Sequence, residues 1–116
     1  MKLKLIIALV EDEKTETVTQ AGREAGATGC TVITAARGEG LKPPTTFFGL
    51  TLEGQRDVVL FLVEEHLSRH ILEAVGEAGQ FDNQPGSGIA FQVDIEDAVG
   101  LSSQIEEIQR EIKDKI

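Results

Sequence analysis

Four aliphatic segments alternate with two segments of helical periodicity, and the order of these pieces constrains the fold more than any single residue does. Residues 2–10 begin as an alternation, Lys2-Leu3-Lys4-Leu5, and then turn continuously apolar as far as Val10. That is the pattern of a strand whose second half is buried on both faces. Residues 30–36 (CTVITAA) are rich in β-branched side chains and predict a second strand. Residues 55–63 (QRDVVLFLV) predict a third, strongly buried one, and the alternating 89–95 (IAFQVDI) a fourth.

Between the first two strands, Val18, Ala21, Gly22 and Ala25 recur at helical intervals over 13–25, with Asp12 as the expected N-cap and Gly26 and Gly29 as the stop. Leu67, Ile71, Ala74, Val75 and Ala78 mark a second helix over 64–78, ended by Gly79. Residues 38–50 contain Pro43 and Pro44, which cannot both sit in a regular ladder, so this stretch reads as a long loop of the kind that usually carries function. Residues 80–88 (QFDNQPGSG) read as a second, turn-rich loop. Ser103-Gln-Ile-Glu106 is a capping box opening a C-terminal helix, about 103–116, with Leu101, Ile105, Ile108, Ile112 and Ile116 as its apolar stripe. The order β-α-β-loop-β-α-β-α predicts an α+β, ferredoxin-like βαββαβ sandwich with an extra C-terminal helix. Both main helices would then cover one sheet face. The other face would stay apolar and uncovered, which argues for an oligomer.

The chain of 116 residues has room for one domain, spanning 1–116. A net charge of -9 with no basic run argues against nucleic acid and against an anionic membrane surface as partners. No segment approaches the length of a membrane span, so direct membrane insertion is not expected. The short apolar run at the N-terminus, followed by Glu11-Asp12-Glu13, does not fit a signal peptide. The single cysteine, Cys30, rules out an intrachain disulfide and fits a reducing, cytoplasmic setting.

Several residue groups offer chemistry. Gly86-Ser87-Gly88 can bring backbone N–H groups close to an anion, because no Cβ stands in the way. His66 and His70 share a helix face at metal-ligand spacing, against the plainer reading of two solvated or interface histidines. Cys30 reads as a small buried hydrophobe, Glu11-Asp12-Glu13 as a solvated helix start, and Asp94, Glu96 and Asp97 as exposed edge charges. Phe47 and Phe48 are adjacent, so in an extended segment they cannot both face one local core. One is expected to anchor a partner, or both to be buried at a subunit interface.

Gly26-Ala-Thr-Gly-Cys-Thr-Val32, Ala8-Leu-Val10, Val58 to Val63, Pro85-Gly-Ser-Gly-Ile-Ala-Phe91 and Val93 to Val99 resemble, in order and spacing, the P-II signalling family. Thr46-Phe-Phe-Gly-Leu50 and the shortened loop before the third strand look like a divergent, transporter-associated branch. The resemblance implies a non-enzymatic cytoplasmic homotrimer that binds adenine nucleotides between subunits. It further implies nitrogen-related signalling through a long T-loop that docks on a membrane transporter or an enzyme. Carried over by position, Leu9, Thr31 and Leu62 would form the adenine wall. Gly86, Ser87, Gly88 and Ile89 would face the phosphates, and Arg37, Gly38 and Gly40 would open the T-loop. Lys42, Thr45, Thr46, Phe47 and Phe48 would meet the partner.

The chain departs from the family where phosphate is gripped. Ile89, Gly100 and Ser102 stand where a lysine and an arginine pair are usual. Phosphate charge is held mainly by Lys and Arg, so ATP is expected to bind weakly and ADP, AMP or another small anion to be preferred, with Arg37, Lys42 and Arg56 as candidate cations. No tyrosine is present for covalent uridylylation. The alternatives from other classes are a metal-binding trimer using His66 and His70, and a small phosphate-handling enzyme. No cofactor is required by any of the family's expected roles.

Overall fold

The computed structural model describes residues 2–36, 46–47, 50–51, 56–101 and 109–110. Strand β1 (Leu3–Glu11) leads through a 3-10 turn at Asp12–Lys14 into helix α1 (Thr15–Ala25), followed by β2 (Cys30–Ala36). Two short strands, β3 (Thr46–Phe47) and β4 (Leu50–Thr51), pair with each other inside the stretch read as one long loop. Strand β5 (Arg56–Glu64), helix α2 (Glu65–Gly79) and strand β6 (Gly88–Asp94) complete the described elements. The expected C-terminal helix lies mostly outside the described residues, although 109 and 110 are helical. Residues 37–45 and 48–49, which hold most of the long loop, also lie outside them.

The four long strands form one sheet in the order β2-β5-β1-β6, with every neighbouring pair antiparallel. β1 and β2 are separated by β5, the split βαβ arrangement expected from the element order. Strand alternation sends Ile6, Ala8 and Val10 of β1 and Val59, Phe61 and Val63 of β5 into a common core, together with Val18 of α1 and Ile71 and Val75 of α2. Both helices therefore cover the same face. Helix α1 approaches closely at Gly22, where a Cβ would lie 2.5 Å from the Phe61 ring. Periodicity puts Gly22 on the apolar stripe; its packing shows why no larger residue stands there.

Some boundaries differ for identifiable reasons. Asp12 does not cap α1: it starts the 3-10 turn, and Lys14 occupies the N-cap position without a side-chain cap bond. At α2 the cap is Glu64, whose carboxylate accepts from the His66 amide at 2.8 Å. The helix passes through Gly79 and closes on Gln80 in the left-handed conformation. Cys30 is half-buried at the start of an edge strand, with Arg23 Nη2 3.5 Å from its sulfur, so it is less enclosed than its residue type suggests.

Candidate functional site

The second face of the sheet is built in rows. Ile33, Val58, Leu9 and Ile89 stand opposite one another across the four strands, and Thr31, Leu60, Ile7 and Phe91 form the next row. Leu62, Leu5 and Val93 form the third. Among the described residues, no helix lies over this face; Ile33 and Val93 at its two edges are 50% and 40% exposed. Leu9 and Ile89 are direct neighbours, whereas Thr31 and Leu62 sit in other rows on β2 and β5. One chain thus puts all four on a single face without closing them round one pocket. Arg37, Gly38, Gly40, Lys42, Thr45 and Phe48 lie outside the described residues. Thr46 and Phe47 form β3, opposite Thr51 and Leu50.

The glycine loop begins where α2 ends. The amide of Phe81 donates back to Gly76 O at 3.1 Å, and the ring of Phe81 folds over Gly79 and Gly88. A Cβ on Gly88 would collide with that ring and lie 2.7 Å from Leu9 O, so the residue is glycine because the backbone of β1 and the ring leave no space. Gly86 adopts φ +81°, a conformation that L side chains disfavour. Ser87 is 3% exposed; its hydroxyl donates to Gln80 O at 3.1 Å and its amide to Gln84 O at 3.0 Å. That commitment holds the hydroxyl inside the loop.

Lys14 joins this loop from 65 residues upstream of Gly79. Its Nζ donates to Gly79 O at 3.1 Å and to Gln84 Oε1 at 2.7 Å, placing a cation on the last carbonyls of α2. The sequence carries no signal for this contact, because it depends on how the α1 entry lies against the α2 exit. Arg56, an expected spare cation, is buried and 3.3 Å from Glu11, so its charge already has a counter-ion. Beside it Asp57 is buried and accepts from Thr15 Oγ1 at 2.6 Å.

On the helix side of β6 the loop walls a cleft of about 620 Å³. Gly86, Gly88 and Ile89 line it, as do Leu72 and Gly76 of α2 and the Phe81 ring. Residue patterning brought the glycines forward but missed the α2 wall, where Arg69 donates to Glu73 at 2.8 Å.

His66 and His70 are both exposed on α2. Among the described residues, the close group of metal-ligand type is instead Glu64, Glu65 and His66, whose ligand atoms lie within 4.8 Å of one another. Glu64 is already engaged there: it caps the helix and contacts His66 Nδ1. That hydrogen bond and the carboxylate charge hold the His66 pKa above its ordinary value.

An antiparallel sheet in this order, with two helices on one face and a glycine loop at the edge strand, defines a ferredoxin-like α+β domain. The family model for nitrogen regulatory protein P-II matches residues 3–104. The chain belongs to the P-II family. Among solved structures it is similar to a PII-like signaling protein of Thermus thermophilus, with a TM-score of 0.60 and 24% identity over 82% of this chain and 88% of that one. At that identity the likeness speaks for the fold. No curated protein matches the sequence.

Proposed function

We propose that the protein is a non-enzymatic P-II-like signalling regulator that works as a homotrimer. In this reading it senses an adenine nucleotide between subunits and passes occupancy through the loop at 38–50 to a membrane transporter or an enzyme. The observation that carries the reading is the uncovered face: three rows of mainly apolar residues, the first ending at Ile89 beside the glycine loop. Burying such a face stabilises an assembly by roughly 25 cal/mol per Å² of apolar surface removed from water. Assembly also allows residues from different chains to meet, which suits a set that one chain leaves dispersed.

ADP or AMP fits better than ATP. Ile89 supplies no ammonium, and Arg56 is engaged by Glu11. Whatever the nucleotide, it can move the loop only by binding one loop state more tightly than another. The cytoplasmic setting fits the thiol content; among the described residues, no helix is long and apolar enough to cross a membrane.

Light scattering on the full chain, combined with calorimetric titration of ADP and ATP, tests the proposal. The expected result is a trimer that binds ADP more tightly than ATP. A stable monomer at micromolar concentration removes the intersubunit site, and a trimer that binds neither nucleotide removes the adenine assignment.

A further inference from the structure

The cleft between α2 and β6 holds none of Leu9, Thr31 and Leu62, although Gly86, Gly88 and Ile89 line it as well. We infer that it is a second effector site, one that takes a small organic cation: an amine or guanidinium on a short apolar body. At about 620 Å³ its volume lies within the range of small-molecule sites. Leu72, Phe81, Ile89 and Ala90 give it an apolar lining, half-buried in each case, against which an aliphatic chain can lose water.

Two independent observations fix the sign of the ligand's charge. First, the polar lining is unbalanced. Glu73, Glu77 and Asp82 contribute three carboxylates against one guanidinium, Arg69, and Arg69 is held by Glu73. An anion entering here meets net negative charge in a chain that is itself at -9. Second, most of the loop's backbone donors are already engaged. The amides of Phe81, Asn83, Gln84 and Ser87 bond to carbonyls of Gly76, Gln80, Gln80 and Gln84, the Ser87 hydroxyl bonds to Gln80 O, and Pro85 has no N–H. A phosphate needs donors. A primary amine or guanidinium brings its own donors and finds carboxylates.

The site does not depend on nucleotide binding, but it shares the glycine loop with the proposed nucleotide set.

Agmatine is a suitable probe, with an amine and a guanidinium at the ends of a short aliphatic chain. The full chain should bind it saturably in calorimetry, one per protomer. Gly76→Leu supplies a plug: a Cβ at Gly76 meets nothing within 4 Å, so the side chain enters the cleft without disturbing the helix. This variant should melt no lower than the wild type, lose agmatine binding and keep its response to ADP, since Gly76 is outside the nucleotide set. Glu77→Gln combined with Asp82→Asn, both exposed, should weaken agmatine by about tenfold, the effect of ~1.4 kcal/mol. Absence of agmatine binding overturns the inference, as does agmatine affinity that the plug or the double variant leaves unchanged. Failure to bind ADP leaves the agmatine result intact and counts only against the nucleotide reading.

Discussion

Both faces of the sheet carry aliphatic side chains and differ in what meets them. Ile6, Ala8 and Val10 turn toward the helices and are fully buried, while Leu5, Ile7 and Leu9, their immediate neighbours in the chain, are only half-buried. The same division runs through β5, where Val59 and Phe61 are fully buried and Val58 and Leu60 are not. Along β1 and β5 aliphatic residues stand on both faces, and what separates them is the presence of α1 and α2 on one. An apolar strand thus reports that both of its faces expect cover, and the element order reports which face the chain can cover for itself.

The sharpest way to break the comparison is to damage one face at a time. Phe61→Ala removes the largest fully buried side chain, with α1 resting on it at Gly22. It should cost about 3–5 kcal/mol, read as a lower urea midpoint, and some of that loss should persist at every protein concentration. Leu60→Asp, one residue away but on the open face, should spare the helix-side core and abolish assembly. Scattering mass should fall to that of one chain while the circular dichroism remains that of an α+β domain. If Leu60→Asp instead leaves the assembly intact, the open face is not its interface and the homotrimer reading loses its basis.

A smaller effect separates two glycines that line the same cleft. Gly88→Ala must push aside the Phe81 ring and meets the Leu9 carbonyl, so a loss of about 1–3 kcal/mol is expected. Gly76→Ala meets nothing and sits inside α2, so it should gain up to about 1 kcal/mol from helix propensity. Thermal melts of the two variants on either side of the wild type would confirm that Gly88 is set by packing. Equal melts would show that the ring moves freely, and with it the wall of the cleft.

Much of the fold was legible because periodicity reports burial directly. The runs at residues 2–10 and 55–63 became β1 and β5, and the element order implied helices on one face. The candidate site was less legible, because the relevant contacts are long-range. Lys14 reaches Gly79 and Gln84 across most of the chain, and Phe81 fills space above Gly88 that nothing in the string QFDNQPGSG discloses. Glycines in a turn look alike whether they admit a ligand or a neighbouring ring. The first helix start misled for a related reason: Asp12 has the chemistry of a cap, but the chain makes a 3-10 turn there before α1 begins.

The smallest expected effect concerns the two ends of β5, where one terminus carries Arg56 against Glu11 and the other carries Glu64 against His66. Glu64 is 8% exposed and His66 75% exposed, so a nearly buried carboxylate faces an imidazole that solvent reaches. The hydrogen bond to Glu64 is the main cause of the raised His66 pKa, followed by the Glu64 charge; desolvation opposes them, and the Glu65 charge adds the least. Because the folded pKa lies above the unfolded value of about 6.5, the pair's contribution is fully present below that pH and is lost as pH rises through the folded value. The stability difference between wild type and His66→Gln should therefore narrow from weakly acidic to weakly alkaline pH. Glu64→Gln keeps an oxygen able to accept from the His66 amide but removes the charge, so the His66 proton resonances should titrate at lower pH than in the wild type. If that midpoint does not move, Glu64 acts only as the cap of α2, and the two ends of β5 no longer match as sites of paired charge.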